Sequence, residues 1–357
     1  MNGKYCITPP HMVFPFKRAG SSIDVFSMFT SRYIVSFAST ALLASMGYAN
    51  GLGQANGFTI FTMESYQANN TDCTGRVAVG GPATYNNFGV GSSLTNSNGT
   101  RDDLIVAGTL SWNNGQSFNG NIQVTGSANM NNVGIPNGGV GNSVSIDFDE
   151  AEIELQELSD ALFEEQANGS VTKNGGQLSM VGTYPDVNIF YLQKQDLKQL
   201  WGMSITVPEG STVLVNVNHH AIQLMNFQPV LHGCEAKDVL FNFPIANSVQ
   251  LSSIGWKGTI LAPKANIQFN NGQIDGALIC KTIQGNGESH HAPFDGDLPT
   301  DDDQDDCDCC CHDNENDENS DEEGGQEDEN PDDNDDDNEG CECDCDCNLP
   351  TDIAMYD

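Results

Sequence analysis

The sequence predicts a mainly β body, read as a β-solenoid with one packed amphipathic helix and followed by a disordered, acidic, cysteine-rich tail. Three observations predict it. Short apolar bursts of period two recur through residues 50–298 between corners rich in Asn and Gly. A single segment in that stretch has helical periodicity instead. Beyond Thr300 the composition changes: 27 of the 50 acids and eight of the 12 cysteines lie there, with no Lys or Arg.

The first element is an export signal. Arg32 precedes the apolar run 33–46 (YIVSFASTALLASM), and small residues follow at Gly47 and Ala49. That pattern predicts a signal peptide over residues 1–49, cleaved after Ala49, with Met28 giving a signal of ordinary length if translation starts there. The run is too short to span a bilayer. Export implies a secreted or cell-surface protein in an oxidising space, where the odd set Cys73, Cys234 and Cys280 leaves at least one body thiol unpaired. Residues 1–300 hold 23 acids and 13 bases, a net of −10, which disfavours nucleic acid and anionic lipid as partners.

Within residues 50–298 the bursts include Leu104 to Ala107, Ile122 with Val124, Val213 with Val215 and Val217, and Ile267 with Phe269. No fixed period joins them. Solenoid, sandwich and barrel all fit, and corners such as Asn271-Gly272 favour the solenoid. Phe241, Phe243 and Trp256 are expected in the core. Gly75, Gly80, Gly81, Gly258 and Gly276 are read as turn residues, and Pro244 and Pro263 as strand ends. The segment Asp149 to Ala167 is the helix, with Ala151, Leu155, Leu158 and Leu162 as its buried stripe. Asp149 and Glu152 form its expected capping box, and Asn168-Gly169 its stop. A shorter helical turn is expected at Lys194 to Trp201.

Catalytic motifs are missing. His219-His220, His232 and His290-His291 stand in no HExxH-like relation to a carboxylate, and no Gly-x-Ser-x-Gly, Walker or dinucleotide loop occurs. Neighbouring histidines on a strand face opposite sides, so structural roles outweigh a composite zinc site. No catalytic residue and no cofactor is assigned. Abundant acids leave open a paired-carboxylate enzyme, so the alternative reading is a carbohydrate-active lyase or hydrolase on a solenoid. Asn69, Asn98 and Asn168 begin N-x-Ser/Thr sequons and are candidate glycan acceptors.

The tail, residues 299–357, has too little apolar material for a core. Its cysteines fall in two blocks, Cys307, Cys309, Cys310 and Cys311 beside His312, then Cys341, Cys343, Cys345 and Cys347. Interchain disulfides, soft-metal ligation and mutual pairing are the three readings, and an oxidising space favours disulfides and hence disulfide-linked self-association. The carboxylates are expected to hold Ca²⁺ loosely, without EF-hand spacing. Leu349-Pro350-Thr351-Asp352 departs from a sortase signal.

Several phrases, in order, resemble the choice-of-anchor A family of exported adhesins. They are Phe58-Thr59-Ile60-Phe61, Cys73 to Gly81 (CTGRVAVGG), Asp147-Phe148 with Leu158-Ser159, Val207 to Val217 (VPEGSTVLVNV), Phe241 to Ala246 (FNFPIA), Gly258 to Ala265 (GTILAPKA), Asp275-Gly276, and Glu288 to His291 with Pro293-Phe294. The resemblance covers nearly all of residues 55–298. It implies a β-solenoid similar to ice-binding-like adhesive domains and transfers no catalytic residue. The function expected from residues and resemblance together is a secreted adhesive or extracellular-matrix protein that binds a polar surface or polysaccharide, with a tail that crosslinks or holds cations.

Overall fold

A computed structural model describes residues 51–299. The signal-peptide and tail readings lie outside these residues. The described chain forms a three-faced β-solenoid entered at its middle rung. From β1 (Ile60–Cys73) the chain winds one way along the axis through β2 (Val77–Val79), β3 (Ala83–Val90), β4 (Asp102–Val106), β5 (Leu110–Ser117), β6 (Asn121–Val124), β7 (Ala128–Gly134) and β8 (Val140–Gly141). The helix α1 (Phe148–Glu164) then returns it to the far end. There the rungs resume with β9 (Ser170–Asn174), β10 (Gln177–Val181), β11 (Val187–Gln193), β12 (Gly202–Thr206), β13 (Thr212–Asn218), β14 (Ala221–Met225) and β15 (Pro229–His232). They continue with β16 (Val239–Asn242), β17 (Ser248–Lys257), β18 (Thr259–Asp275), β19 (Leu278–Gly285) and β20 (Glu288–His290). The last full coil docks on the first: β19 pairs in parallel with β1, Ile60 opposite Leu278.

All pairings are parallel except the β9–β10 hairpin, and they form a 16-stranded and a 4-stranded sheet. The first face runs β11, β13, β16, the starts of β18, β19 and β1, then β2, β4, β6 and β8. It is apolar on both sides, which explains continuous buried runs such as Val77-Ala78-Val79. Its inner row (Ile60, Val77, Leu104, Ile260, Leu278) fills the lumen with Trp112, Trp256, Tyr85 and Phe241. Its outer row, Ile105–Ala78–Phe61–Ile279–Leu261 in register, is covered by α1. Burying one such side chain contributes about 1.5–3 kcal/mol.

The helix exists where expected, with shifted ends. Asp147, not Asp149, is the N-cap, accepting from the Glu150 amide at 3.1 Å, and the helix stops at Glu164. Its buried residues are Phe148, Ala151, Leu155, Ser159 and Leu162, whereas Leu158 is only partly covered. The region 194–200 is a string of turns, because Leu197 drops into the lumen there instead of continuing a helical face. Pro263 lies inside β18, where the register with β19 shifts between Ala262 and Asn266. Gly258 and Gly276 have positive φ (112° and 150°) as turn residues should, but Gly75, Gly80 and Gly81 are needed for close approach. A Cβ on Gly80 or Gly81 would collide with the carbonyl of Met63 or Glu64.

Candidate functional site

The second face presents a regular surface of eight parallel strands. Its strands stack in the order β14, β17, β18, β19, β1, β3, β5, β7. Alternation sends Tyr66, Ala68, Tyr85 and Trp112 into the lumen and the residues between them to solvent. The central outward row is therefore Gln223, Gln250, Gln268, Gln284, Gln67, Thr84, Ser111 and Asn129, each in register with the next. All eight side chains are exposed. Eight rungs at the strand spacing extend about 34 Å, with outward rows about 6.7 Å apart along each strand.

Flanking rows have the same chemistry. On one side stand Ser248, Asn266, Thr282 and Ser65, and on the other the ladder Asn69, Asn86, Asn113 and Asn131. The amides hold one another across rungs: Gln223 donates to Gln250 at 2.9 Å, Asn86 to Asn69 at 3.1 Å and Asn131 to Asn113 at 2.7 Å. The corner after this face is set by residues in the left-handed region, Asn70, Asn87, Asn114 and Asn132 at φ 48° to 58°, with Asn226, Ser253 and Asn271 at equivalent turns. Asn is the side-chain residue that best tolerates that conformation. Those corner amides also stack, Asn87 donating to Asn70 at 2.6 Å and Asn132 to Asn114 at 2.8 Å. No charged residue occurs between Leu104 and Ile146, so the β5–β7 end of the face is uncharged along whole coils.

The third face is different. Asp72, Glu288, Asp275 and His290 gather on neighbouring rungs near Lys257. Asp275 is committed to His290 (2.7 Å) and Lys257 (3.4 Å). Burial and then the Glu288 charge push the Asp72 carboxyl up. Two cavities of about 510 and 460 Å³ lie elsewhere. The carboxylates of the larger are already used, Glu235 as the cap of a short 3-10 turn and Asp295 in a 3.5 Å pair with Lys237.

The sequence-derived candidates are dispersed. His220 pairs with the Ile245 carbonyl (2.9 Å) and His291 with Thr59 (3.1 Å), and burial, with Arg101 and Arg76 nearby, pushes the His291 imidazole down. His232 is exposed on β15. Among the described residues no three His, Cys, Asp or Glu side chains are grouped to hold a metal. Cys73, Cys234 and Cys280 are all free, the first and last buried in the lumen and Cys234 half-buried. Asn69 lies within the amide face, and Asn98 is exposed in a turn. Asn168 accepts from the Ile189 amide (2.7 Å) and donates to the Val187 carbonyl (3.0 Å), closing the free edge of β11. The tail candidates Cys307 to His312 and Cys341 to Cys347 lie outside the described residues. Sequence reasoning missed the glutamine row, whose members lie at spacings of 27 and 16 residues in different coils.

A family model described as "Putative Ice-binding-like adhesive domain" matches residues 51–291. Among solved structures the chain is similar to an ice-binding protein from an Antarctic biological consortium (12% identity, 68% of this chain and 90% of that one covered, TM-score 0.36). It is also similar to the ice-binding protein of the Antarctic ascomycete Antarctomyces psychrotrophicus (13%, 68% and 97%, TM-score 0.31). A third likeness is to an ice-binding protein of an Antarctic Flavobacteriaceae bacterium (10%, 68% and 81%, TM-score 0.30). No curated protein matches. Among the described residues no helix is long and apolar enough to cross a membrane.

Proposed function

Because the chain belongs to the ice-binding-like adhesive domain family, we propose that it is an exported adhesin whose second face engages an extended, repetitive polar solid, a polysaccharide fibre first among them. The observation that supports this is the uncharged central row from Gln223 to Asn129. Carboxamides and hydroxyls can both donate and accept, so a polymer presenting hydroxyls at regular intervals meets many weak hydrogen bonds at once. Each is worth little alone. Many acting together hold a surface through effective concentration. The rows of the second face carry no carboxylate, which supports adhesion over turnover there.

In this reading residues 1–49 export the chain and the tail holds several copies together. In the same reading, Ca²⁺ screening of the tail carboxylates lets Cys307–Cys311 of one copy meet Cys341–Cys347 of another, and two facing thiols join as a disulfide as dioxygen takes up their two electrons and two protons.

The test is sedimentation of the full chain with microcrystalline cellulose, chitin and ice, with reducing-end release assayed in the same tubes. A double Gln67→Lys, Gln268→Lys variant places bulky charge on the face and should release the protein from the solid that the wild type binds. Equal retention of the variant sinks the assignment of the face. Sugar release would instead favour the carbohydrate-active enzyme.

A further inference from the structure

The chain has three tryptophans, and two of them, Trp112 and Trp256, are 1% exposed in the lumen. Trp201 is 65% exposed, the most exposed large apolar side chain among the described residues. It is nevertheless firmly seated. Its main-chain amide donates to the Gly176 carbonyl at 3.0 Å, as does that of Gly202 at 3.3 Å. A Cβ on Gly176 would overlap the indole at Cδ1 and Nε1, so the ring lies against bare backbone. Gly176 is buried although its hairpin neighbours Asn174 and Gly175 are exposed.

The turns that carry Trp201 are pinned on both sides. Lys173 donates to the carbonyls of Gln195 and Lys198, both at 2.6 Å. Asp196 accepts from the Gln193 amide at 2.8 Å, and Leu197 plugs the lumen beneath. The Cδ1–Nε1 side of the indole thus lies against the hairpin while most of the ring meets solvent. Its surroundings are polar: Lys198 and Gln199 are exposed, and the Gln177 carboxamide lies over Gly202. The nearest exposed apolar side chain by register is Val230 on β15, opposite Ser204 and three residues, about 10 Å, along β12 from Trp201, while Val181 closes the far end of β10 and Tyr184 lies beyond it.

We infer that Trp201 is a stacking platform for a pyranose ring, a sugar subsite separate from the amide face. An isolated, rigid aromatic plane ringed by hydrogen-bonding groups suits a ligand with a C–H face and a hydroxyl rim. A wholly apolar partner would take the exposed Lys198 and Gln199 out of water without offering them a hydrogen bond. The inference deepens the polysaccharide reading above and rests on it for the ligand class.

Trp201 is the sole exposed indole, so intrinsic fluorescence of the full chain reports on it directly. Cellohexaose or chitohexaose should shift the emission to the blue and protect it from acrylamide. Trp201→Ala should weaken hexamer binding by calorimetry roughly tenfold, the scale of one aromatic stacking partner. Trp201→Phe should keep most of the affinity. Hexamers that bind Trp201→Ala as well as wild type, or leave Trp201 fully open to acrylamide, overturn the subsite. If the full chain still sediments with cellulose or chitin in that case, the adhesive reading stands and only the platform fails. If it neither sediments with a polysaccharide nor binds a hexamer, both fail.

Discussion

Asn242, on the first face, donates its side-chain amide to the main-chain carbonyl of Ser159 in the helix at 2.8 Å, and the Ser159 hydroxyl donates back to Asn242 Oδ1 at 2.5 Å. The same amide donates to Oδ1 of Asn216 one rung away (2.8 Å), and Asn216 donates to the Leu162 carbonyl (2.6 Å). All three side chains are fully buried. In an otherwise apolar seam this network fixes where along the solenoid the helix sits.

Asn242→Leu leaves Ser159 and Asn216 buried with partners missing. It should cost about 1–3 kcal/mol for the orphaned groups, before any repacking strain. Urea unfolding of the full chain measures it. A midpoint equal to wild type would mean that the apolar contacts alone seat the helix.

Leu155→Ala and Leu158→Ala should differ. Leu155 is 2% exposed between helix and sheet, so its truncation opens a cavity and should cost about 2–5 kcal/mol. Leu158 is only partly covered and should cost less. Equal losses would show that the helix is rotated from the orientation described.

Alkaline pH should destabilise the body. Burial pushes the Cys73 thiol up to about 12 and the Cys234 thiol up to about 11. Cys280, Tyr66 and Tyr85 are raised by burial as well. A group whose folded pKa is raised stabilises fully below its unfolded value and loses that contribution as pH climbs through the folded one. The loss should therefore begin near pH 9, the ordinary thiol value, and grow towards pH 12. Cys280→Ala should flatten the slope. Peptide mapping after iodoacetamide at pH 8 should find Cys234 modified well before Cys73 and Cys280.

Much of this molecule is legible in the sequence because local chemistry marks it. The helix shows in the spacing of Ala151, Leu155 and Leu162, and the corners in the Asn pairs at residues 86–87 and 113–114. The stacking is not local. Asn87 and Asn70 are 17 residues apart, Asn132 and Asn114 18, and Gln223 and Gln250 27, because loops of different length leave successive rungs. A fixed repeat is therefore hidden even though the rungs are regular in space. The meeting of Ile60 with Leu278 is more remote still, since only the returning helix makes the last coil adjacent to the first. Trp201 carries no signal in its own neighbourhood: its significance depends on Gly176, which reaches it through the β10–β12 pairing.

The glutamine row supports a last prediction that probes its geometry without any ligand. Gln250 and Gln268 are paired across adjacent strands and both exposed, so a double Gln250→Glu, Gln268→Glu variant sets two carboxylates about 5 Å apart on one face. Like charges directly opposite cost about 0.2–1 kcal/mol, and both pKa values should rise because each anion disfavours the other. The sign follows from linkage: the folded state then holds protons more tightly than the unfolded chain, so the deficit is full at neutral pH and shrinks as pH falls towards about 4. Added salt should also reduce it, since both side chains face solvent. Gln223→Glu with Gln268→Glu is the control, two rungs apart, and should show a smaller deficit. Thermal unfolding of both variants at pH 7 and pH 4, in low and high salt, gives the comparison. If the adjacent pair is no less stable than the separated pair at pH 7 in low salt, the two residues do not face each other and the register of the second face is wrong.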